Sequence, residues 1–262
     1  MLCGPDGSQQ PVPVRSIVGL IPLFAVTTLQ PEVIDRLPGF RARTEWFERH
    51  RPQYAAACAH SRDPGYEDRR LLSVLSPDRL VRVLARMADE AEFLSPYGVR
   101  ALSKWHADHP VSLDIDGMRA TVDYEPGEST TALFGGNSNW RGPVWFPINH
   151  LIIGGLTRFH SFLGPAFTVE YPTGSGRKAT LIEIADDLAR RLTALFLPDA
   201  SGYRPVYGRF TRYVTDPAWR GLVPFHEYFH GDTGAGLGAS HQTGWTALII
   251  DELLGLPVSP RR

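Results

Sequence analysis

Residues 180–196 read TLIEIADDLARRLTALF, and this run decides the fold class. Thr180 stands three residues before Glu183, the spacing at which a hydroxyl and a carboxylate each satisfy an orphan backbone N–H of a helix start. Beyond that cap, Leu181, Ile184, Ala185, Leu188, Leu192, Leu195 and Phe196 recur on one face, and Pro198 stops the run. The spacing predicts a strongly amphipathic helix. Working outward, Ser76-Pro77 opens another, with Leu80, Val81, Leu84 and Met87 on its apolar side, and Pro147 opens a third through Leu151, Ile152, Phe159 and Phe162. A fourth is expected over about 241–254. Residues 17–29 are apolar but interrupted by Pro22 and too short to span a bilayer, so they read as a buried helix rather than a signal peptide core or membrane span. Strand signals are sparse. Residues 112–124 alternate around Asp116-Gly117, a hairpin signal. The class is mainly α.

Composition excludes several partners. With 43% hydrophobic and 21% charged residues, the chain is of ordinary globular type. A formal net charge of -1 leaves no electrostatic footprint for nucleic acid or an anionic membrane, so neither is expected. Cys3 and Cys58 have no neighbouring Cys or His at ligand spacing, which argues against a disulfide framework and a zinc site. Inert thiols in a reducing compartment, and a cytoplasmic location, are the expectation.

The connections carry the candidate chemistry. The segments between Met87 and Pro147, and between Leu197 and His241, are far longer than an ordinary connection of about four to six residues, and long loops on a helical scaffold usually bear function. They hold Tyr124, Trp140, Trp145, Tyr203, Tyr207, Trp219 and Tyr228. Within them, His226-Glu227-Tyr228-Phe229-His230 fits HExxH, in which two histidines one helical turn apart bind zinc and the Glu is general base. Pro224 just before it and four glycines within 231–238 leave barely two turns for that helix. Glu252, the distant third ligand of that alternative, reads equally well as solvated. Residues 234–239 fit G-x-G-x-x-A but lack the βαβ unit a dinucleotide site needs, and a tight turn feeding the last helix is the better reading. Residues 173–178 lack P-loop spacing and read as a surface turn.

A second chemistry fits Glu227. Glycoside hydrolysis needs two carboxylates flanking the scissile bond inside a wall of aromatic and polar groups, since C–H faces of sugars pack on rings while hydroxyls reach amide and guanidinium donors. Such residues concentrate in Gly135-Gly136-Asn137-Ser138-Asn139-Trp140-Arg141-Gly142-Pro143-Val144-Trp145, in Glu227-Tyr228, and in His241-Gln242-Thr243-Gly244-Trp245. Core packing is the competing reading for each aromatic.

These strings, in this order, resemble the C-terminal part of glycoside hydrolase family 63 and its bacterial relatives, over about residues 17–254. The resemblance implies an (α/α)6 barrel, a six-hairpin toroid, of which this chain supplies the C-terminal half with long loops and a small β-hairpin: a polar leader over 1–15, then catalytic-domain sequence over 16–256. It implies inverting hydrolysis of α-glucosides or related α-linked sugars, with no metal and no organic cofactor. Glu227 corresponds to the general base. Asn139, Trp140, Arg141, Gly142, Trp145, Tyr228, Gln242 and Trp245 correspond to sugar-subsite residues, and His226 and His230 to pocket-wall residues. The family's general acid is an Asp after a Trp, and no Trp-Asp pair occurs in this sequence. Asp123, Glu125, Glu128 and Asp232 are the local carboxylates that compete to replace it, but the first three read as solvated beside their turn, and Asp232 as part of the glycine turn. The expected partners are a carbohydrate and either the remaining part of the barrel or a second copy. A non-catalytic sugar-binding remnant is the other alternative.

Overall fold

The computed structural model describes residues 2–3, 7–55, 64–115, 118–131 and 138–255. Two helices form its centre: α1, Phe146–Leu163, and α2, Leu181–Ala194, packed along one another. The capping box forms as the spacing predicts, with Thr180 Oγ1 accepting from Glu183 N and the Glu183 carboxylate accepting from Thr180 N at 2.7 Å. Leu181, Ile184, Leu188 and Leu192 are fully buried against Ile152, Leu156 and Phe159 of α1. The preceding helix, Pro77–Met87, is capped by Ser76 and buries Leu80, Leu84 and Met87. Val81, expected on its apolar face, is instead 42% exposed, because it falls one step beyond the stripe that touches the core.

Small two-stranded antiparallel hairpins surround the helices. One joins Val111–Ile115 to Met118–Val122, in the predicted register, and its Asp116-Gly117 turn lies outside the described residues. Residues 17–29 depart from the expected buried helix. Pro22 limits Ile17–Leu23 to 3-10 geometry, and Val26–Leu29 then becomes a strand paired with Arg70–Ser73. Gly155 is what lets this segment sit on α1, since a Cβ there would lie 2.2 Å from the Leu23 carbonyl oxygen. The helices Pro31–Arg36 and Pro38–His50 follow; the periodicity gave no sign of either, and neither contributes a buried residue.

The last helix is broken into Thr243–Thr246 and Ile249–Leu254. Ile250, Leu253 and Leu254 of the second piece are exposed, as are Leu151 of α1 and Val18. Glu252 is not solvated: its carboxylate meets His150 Nδ1 at 2.7 Å and is nearly buried. Arg15, at the end of the expected polar leader, is docked on the body through Glu92 at 2.6 Å and the Trp105 ring at 3.9 Å. Cys3 is an exposed free thiol, and Cys58 lies outside the described residues. Among the described residues no helix is long and apolar enough to cross a membrane.

Candidate active site

Three loop segments meet at the N-terminal end of α1. Residues 143–145 are extended, so Val144 bridges Arg100 on one side and Phe229 on the other. Val144 N donates to Phe229 O at 2.8 Å and Phe229 N to Val144 O at 3.0 Å. Side chains alternate across such a ladder. Phe229 therefore packs into the core edge-on to Phe196, whereas Tyr228 stacks on Trp145 with centroids 4.8 Å apart. Trp140 lies parallel to Trp145 at 4.1 Å, and Trp245 tilts against it at 5.5 Å. The two tryptophans of the 140–145 string thus meet the Glu-Tyr pair and the Trp of the last segment in one aromatic stack.

Glu227 stands at the edge of this stack, partly exposed. Ser138 Oγ donates to its Oε1 at 3.0 Å and the Ala239 amide to its Oε2 at 3.3 Å. Tyr228–Phe229 pairs with Gly236–Leu237 as a tight hairpin, whose continuation brings that amide back to the carboxylate. Gly238, just past the return strand and opposite Glu227, has φ +65, and a Cβ there would lie 2.7 Å from Tyr228 Cε1 and 2.8 Å from Glu227 Oε2. The glycine run is thus a hairpin and clamp for Glu227, neither a dinucleotide loop nor a simple lead into the last helix. Residues 173–178 connect the hairpin strands Thr168–Glu170 and Lys178–Thr180, as expected of a surface turn.

Several residues taken from the sequence as sugar contacts lie beneath the surface. Arg141 is 2% exposed, its guanidinium bound to Asp123 at 2.8 Å, to Glu125, and to Ser129 at 3.2 Å. Burial beneath two carboxylates keeps this guanidinium away from a sugar, although its Nε has no partner among the described residues, and Asp123 and Glu125 are correspondingly ion-paired, not merely solvated. Asn139 is buried, donating to the carbonyls of Glu125 and Gly127 and accepting from Arg141 N. Trp145, 1% exposed, donates through Nε1 to Asn139 O. Gly142, at φ +146, lets Tyr124 pack within 2.7 Å of where a Cβ would sit. Gln242 stands at the N-cap position of the short helix at 243–246 without a side-chain cap, and its backbone N–H donates to Phe225 O at 2.7 Å. Of the residues named from the sequence, Glu227, Trp140, Gln242 and Trp245 reach the surface, Trp245 being 38% exposed.

The structure also corrects the reading of Glu128 as solvated and of Asp232 as only part of a turn, and brings in Arg100, which the sequence did not single out. Glu128 binds Tyr228 OH through Oε2 at 2.8 Å and the Gly238 amide through Oε1 at 3.1 Å. Glu128 and Glu227 thus hold adjacent amides, which keeps the two carboxylates within about 10 Å of each other. Burial, with Glu128 beside it, pushes the Tyr228 phenol up, so it remains a donor. Arg100, buried, donates to Tyr124 OH at 2.9 Å and to Asp232 at 2.9 Å, and ties the loop after the hairpin to the segment after Phe229. Burial works to raise the Asp232 carboxyl, but the hydrogen bond and charge of Arg100, with Lys104 and Tyr124, outweigh it and hold it below the ordinary carboxylate range. The signals were present as Ser138 in the N-S-N-W string and as a Glu ahead of it, but which backbone donors they meet is decided by the fold.

The zinc reading loses its geometry. Tyr228–Phe229 is a strand, so His226 and His230 are not one helical turn apart. His230 Nδ1 instead accepts from the amides of Asp232 and Thr233 at 3.1 and 3.3 Å. Burial pushes both imidazoles below their ordinary value. Among the described residues no group of three or more His, Cys, Asp or Glu is placed to hold a metal ion.

A helical body presenting a backbone-clamped carboxylate beside stacked tryptophans is the arrangement of a carbohydrate-processing domain, and residues 71–246 match a glycoside hydrolase domain. The chain belongs to that family, the mannosylglycerate hydrolase MGH1-like glycoside hydrolase domains. It is 49% identical over 251 residues to an uncharacterized protein of Saccharomyces cerevisiae, an alignment covering 95% of this chain and 23% of the yeast protein. It is 25% identical over 187 residues to a probable mannosyl-oligosaccharide glucosidase of Schizosaccharomyces pombe, covering 69% of this chain and 16% of that one. The mannosyl-oligosaccharide glucosidase of Saccharomyces cerevisiae is 26% identical over 179 residues, 67% of this chain and 15% of its own length. The resemblance to family 63 and its bacterial relatives is thereby supported, and the chain spans less than a quarter of the length of these relatives.

Proposed function

We propose that this chain carries the water-activating half of an inverting α-glycoside hydrolase site, on the C-terminal half of an (α/α)6 barrel. The observation that carries the reading is Glu227 itself: a partly exposed carboxylate, oriented by Ser138 and Ala239, next in sequence to the Tyr228 that joins the Trp140–Trp145–Trp245 stack. Glu227 takes a proton from water while the water oxygen bonds to the anomeric carbon. The bond from that carbon to the leaving oxygen breaks, and that oxygen receives a proton from an acid supplied by sequence outside this chain. None of these steps calls for a metal or organic cofactor. The substrate class is an α-glucoside or α-mannoside, in keeping with the relatives' names. The exposed apolar residues Val18, Leu151, Ile250, Leu253 and Leu254 suit a contact with the remaining part of the barrel or with a second copy.

A glycosyl fluoride separates the two halves of the chemistry, because fluoride departs with little help from an acid. The chain should release fluoride from α-glucosyl or α-mannosyl fluoride, giving the β-sugar first by NMR, and Glu227→Gln should abolish the release while sugar binding persists. Equal release by the variant removes Glu227 from the base role. Sugar binding without any release by the wild type would make the chain a binding module.

A further inference from the structure

Beside the buried stripe of the helix Pro77–Met87, Arg79, Arg82, Val83 and Arg86 recur three and four residues apart and so share a second face. That face lines a groove of about 540 Å³, shared with Val14, Arg15 and Ser16 of the segment leading into Ile17–Leu23. Leu20, Leu75 and Phe93 complete its apolar lining, and Glu92 is its one carboxylate. The volume lies within the range of small-ligand pockets, about 300–1,000 Å³. None of these residues belongs to the Glu227 site.

Four guanidinium groups face one carboxylate there, and that carboxylate is already occupied. Glu92 is buried; its Oε1 accepts from Arg15 at 2.6 Å and from Arg86 at 2.5 Å, and its Oε2 accepts from Ser103 at 2.8 Å. Arg79 and Arg82 are exposed, and their guanidinium groups have no hydrogen-bond or ion-pair partner among the described residues. On a chain of formal net charge -1 this positive excess is local to the groove. Residues three apart on a helix have Cβ atoms about 5–6 Å from each other, close enough for both guanidinium forks to reach one phosphate group. The rest of the lining is hydrocarbon, with Leu20, Leu75 and Phe93 buried at its base. A bare oxyanion would leave that lining wet, and an uncharged apolar ligand would leave both guanidinium groups unpaired. A phosphate carrying an apolar arm satisfies the two together.

We propose that this groove binds a small phosphate monoester of an apolar alcohol or phenol. Arg79 and Arg82 hold the phosphate, Arg15 and Arg86, fixed by Glu92, add to the positive field around it, and the organic arm lies on Leu20, Leu75, Val83 and Phe93. The site stands independently of the reading of Glu227 as base. Isothermal titration of the chain with inorganic phosphate and with 1-naphthyl phosphate, at neutral pH and low salt, tests it. The naphthyl ester should bind at least about tenfold tighter than inorganic phosphate. Arg79→Ala combined with Arg82→Ala, both at exposed positions, should weaken the ester about tenfold or more, and Val83→Ser should narrow the gap between the two ligands. Arg190→Ala, which removes an exposed guanidinium of α2, should change neither affinity. Failure of the ester to bind at millimolar concentration overturns the proposal, as do equal affinities for the two ligands or an ester affinity indifferent to Arg79 and Arg82. Tighter binding of an acetylated tetrapeptide of alternating leucine and glutamate overturns it as well, and would make the groove a docking surface for acidic peptide.

Discussion

Replacing Gly238 by alanine asks whether the return strand of the hairpin holds Glu227 in place. The residue has φ +65, a left-handed conformation that costs an L-residue about 1–2 kcal/mol. The new Cβ would also meet Tyr228 Cε1 at 2.7 Å, Glu227 Oε2 at 2.8 Å and Glu227 Cβ at 3.1 Å. Tyr228 is pinned between Trp145 and Glu128, so the overlap is relieved by shifting packed groups, at a cost of about 1–3 kcal/mol more. At about 2–4 °C per kcal/mol for a chain of this size, the melting temperature should fall by about 4–20 °C. Gly202→Ala is the matched control: its φ is +82, but nothing lies within 4 Å of the new Cβ. It should lose only the backbone share, about 2–8 °C. Scanning calorimetry of the two variants at neutral pH gives the comparison, and the excess loss in Gly238→Ala should be accompanied by weaker sugar binding. If the two variants melt together, the contacts of Gly238 with Glu227 and Tyr228 are not what holds the return strand against them.

Other outcomes follow from the same contacts. Leu188→Ala, at a fully buried position of α2, should cost about 2–5 kcal/mol by chemical denaturation. His226, His230 and Asp232 all have folded-state values below their unfolded ones, so their contribution is complete above the unfolded values and is lost as pH falls. Stability should therefore decline first below about pH 6.5 and again below about pH 4, and Asp232→Asn should flatten the second limb in a pH series of melts. Metal analysis of protein grown with zinc should find no stoichiometric ion, and His230→Ala should leave the zinc content unchanged; zinc that disappears with His230 would restore the metallopeptidase reading. Leu253→Glu on the exposed face of Ile249–Leu254 should reduce self-association in sedimentation velocity, and a wild-type chain that is monomeric at high concentration would argue against that face as a contact.

What the sequence by itself determined was the periodic part of the molecule. The Thr180–Glu183 cap and the Leu181–Leu192 stripe specify a helix and its buried face, because helix geometry repeats every 3.6 residues regardless of what lies opposite. Glu227 was legible too, as an acid set among tryptophans in strings shared with a known family. Residues 17–29 were misread because a continuous apolar run has no period to separate a helix from a strand, and pairing with Arg70–Ser73 is a distant event. The tertiary structure alone decided which polar residues are exposed. Arg141 lies beneath the surface because Asp123 and Glu125 surround it, and Glu128 faces the Glu227 turn because Tyr228 and Gly238, far along the chain, donate to it. Burial and hydrogen-bond partners depend on contacts between distant segments, and no local spacing encodes them.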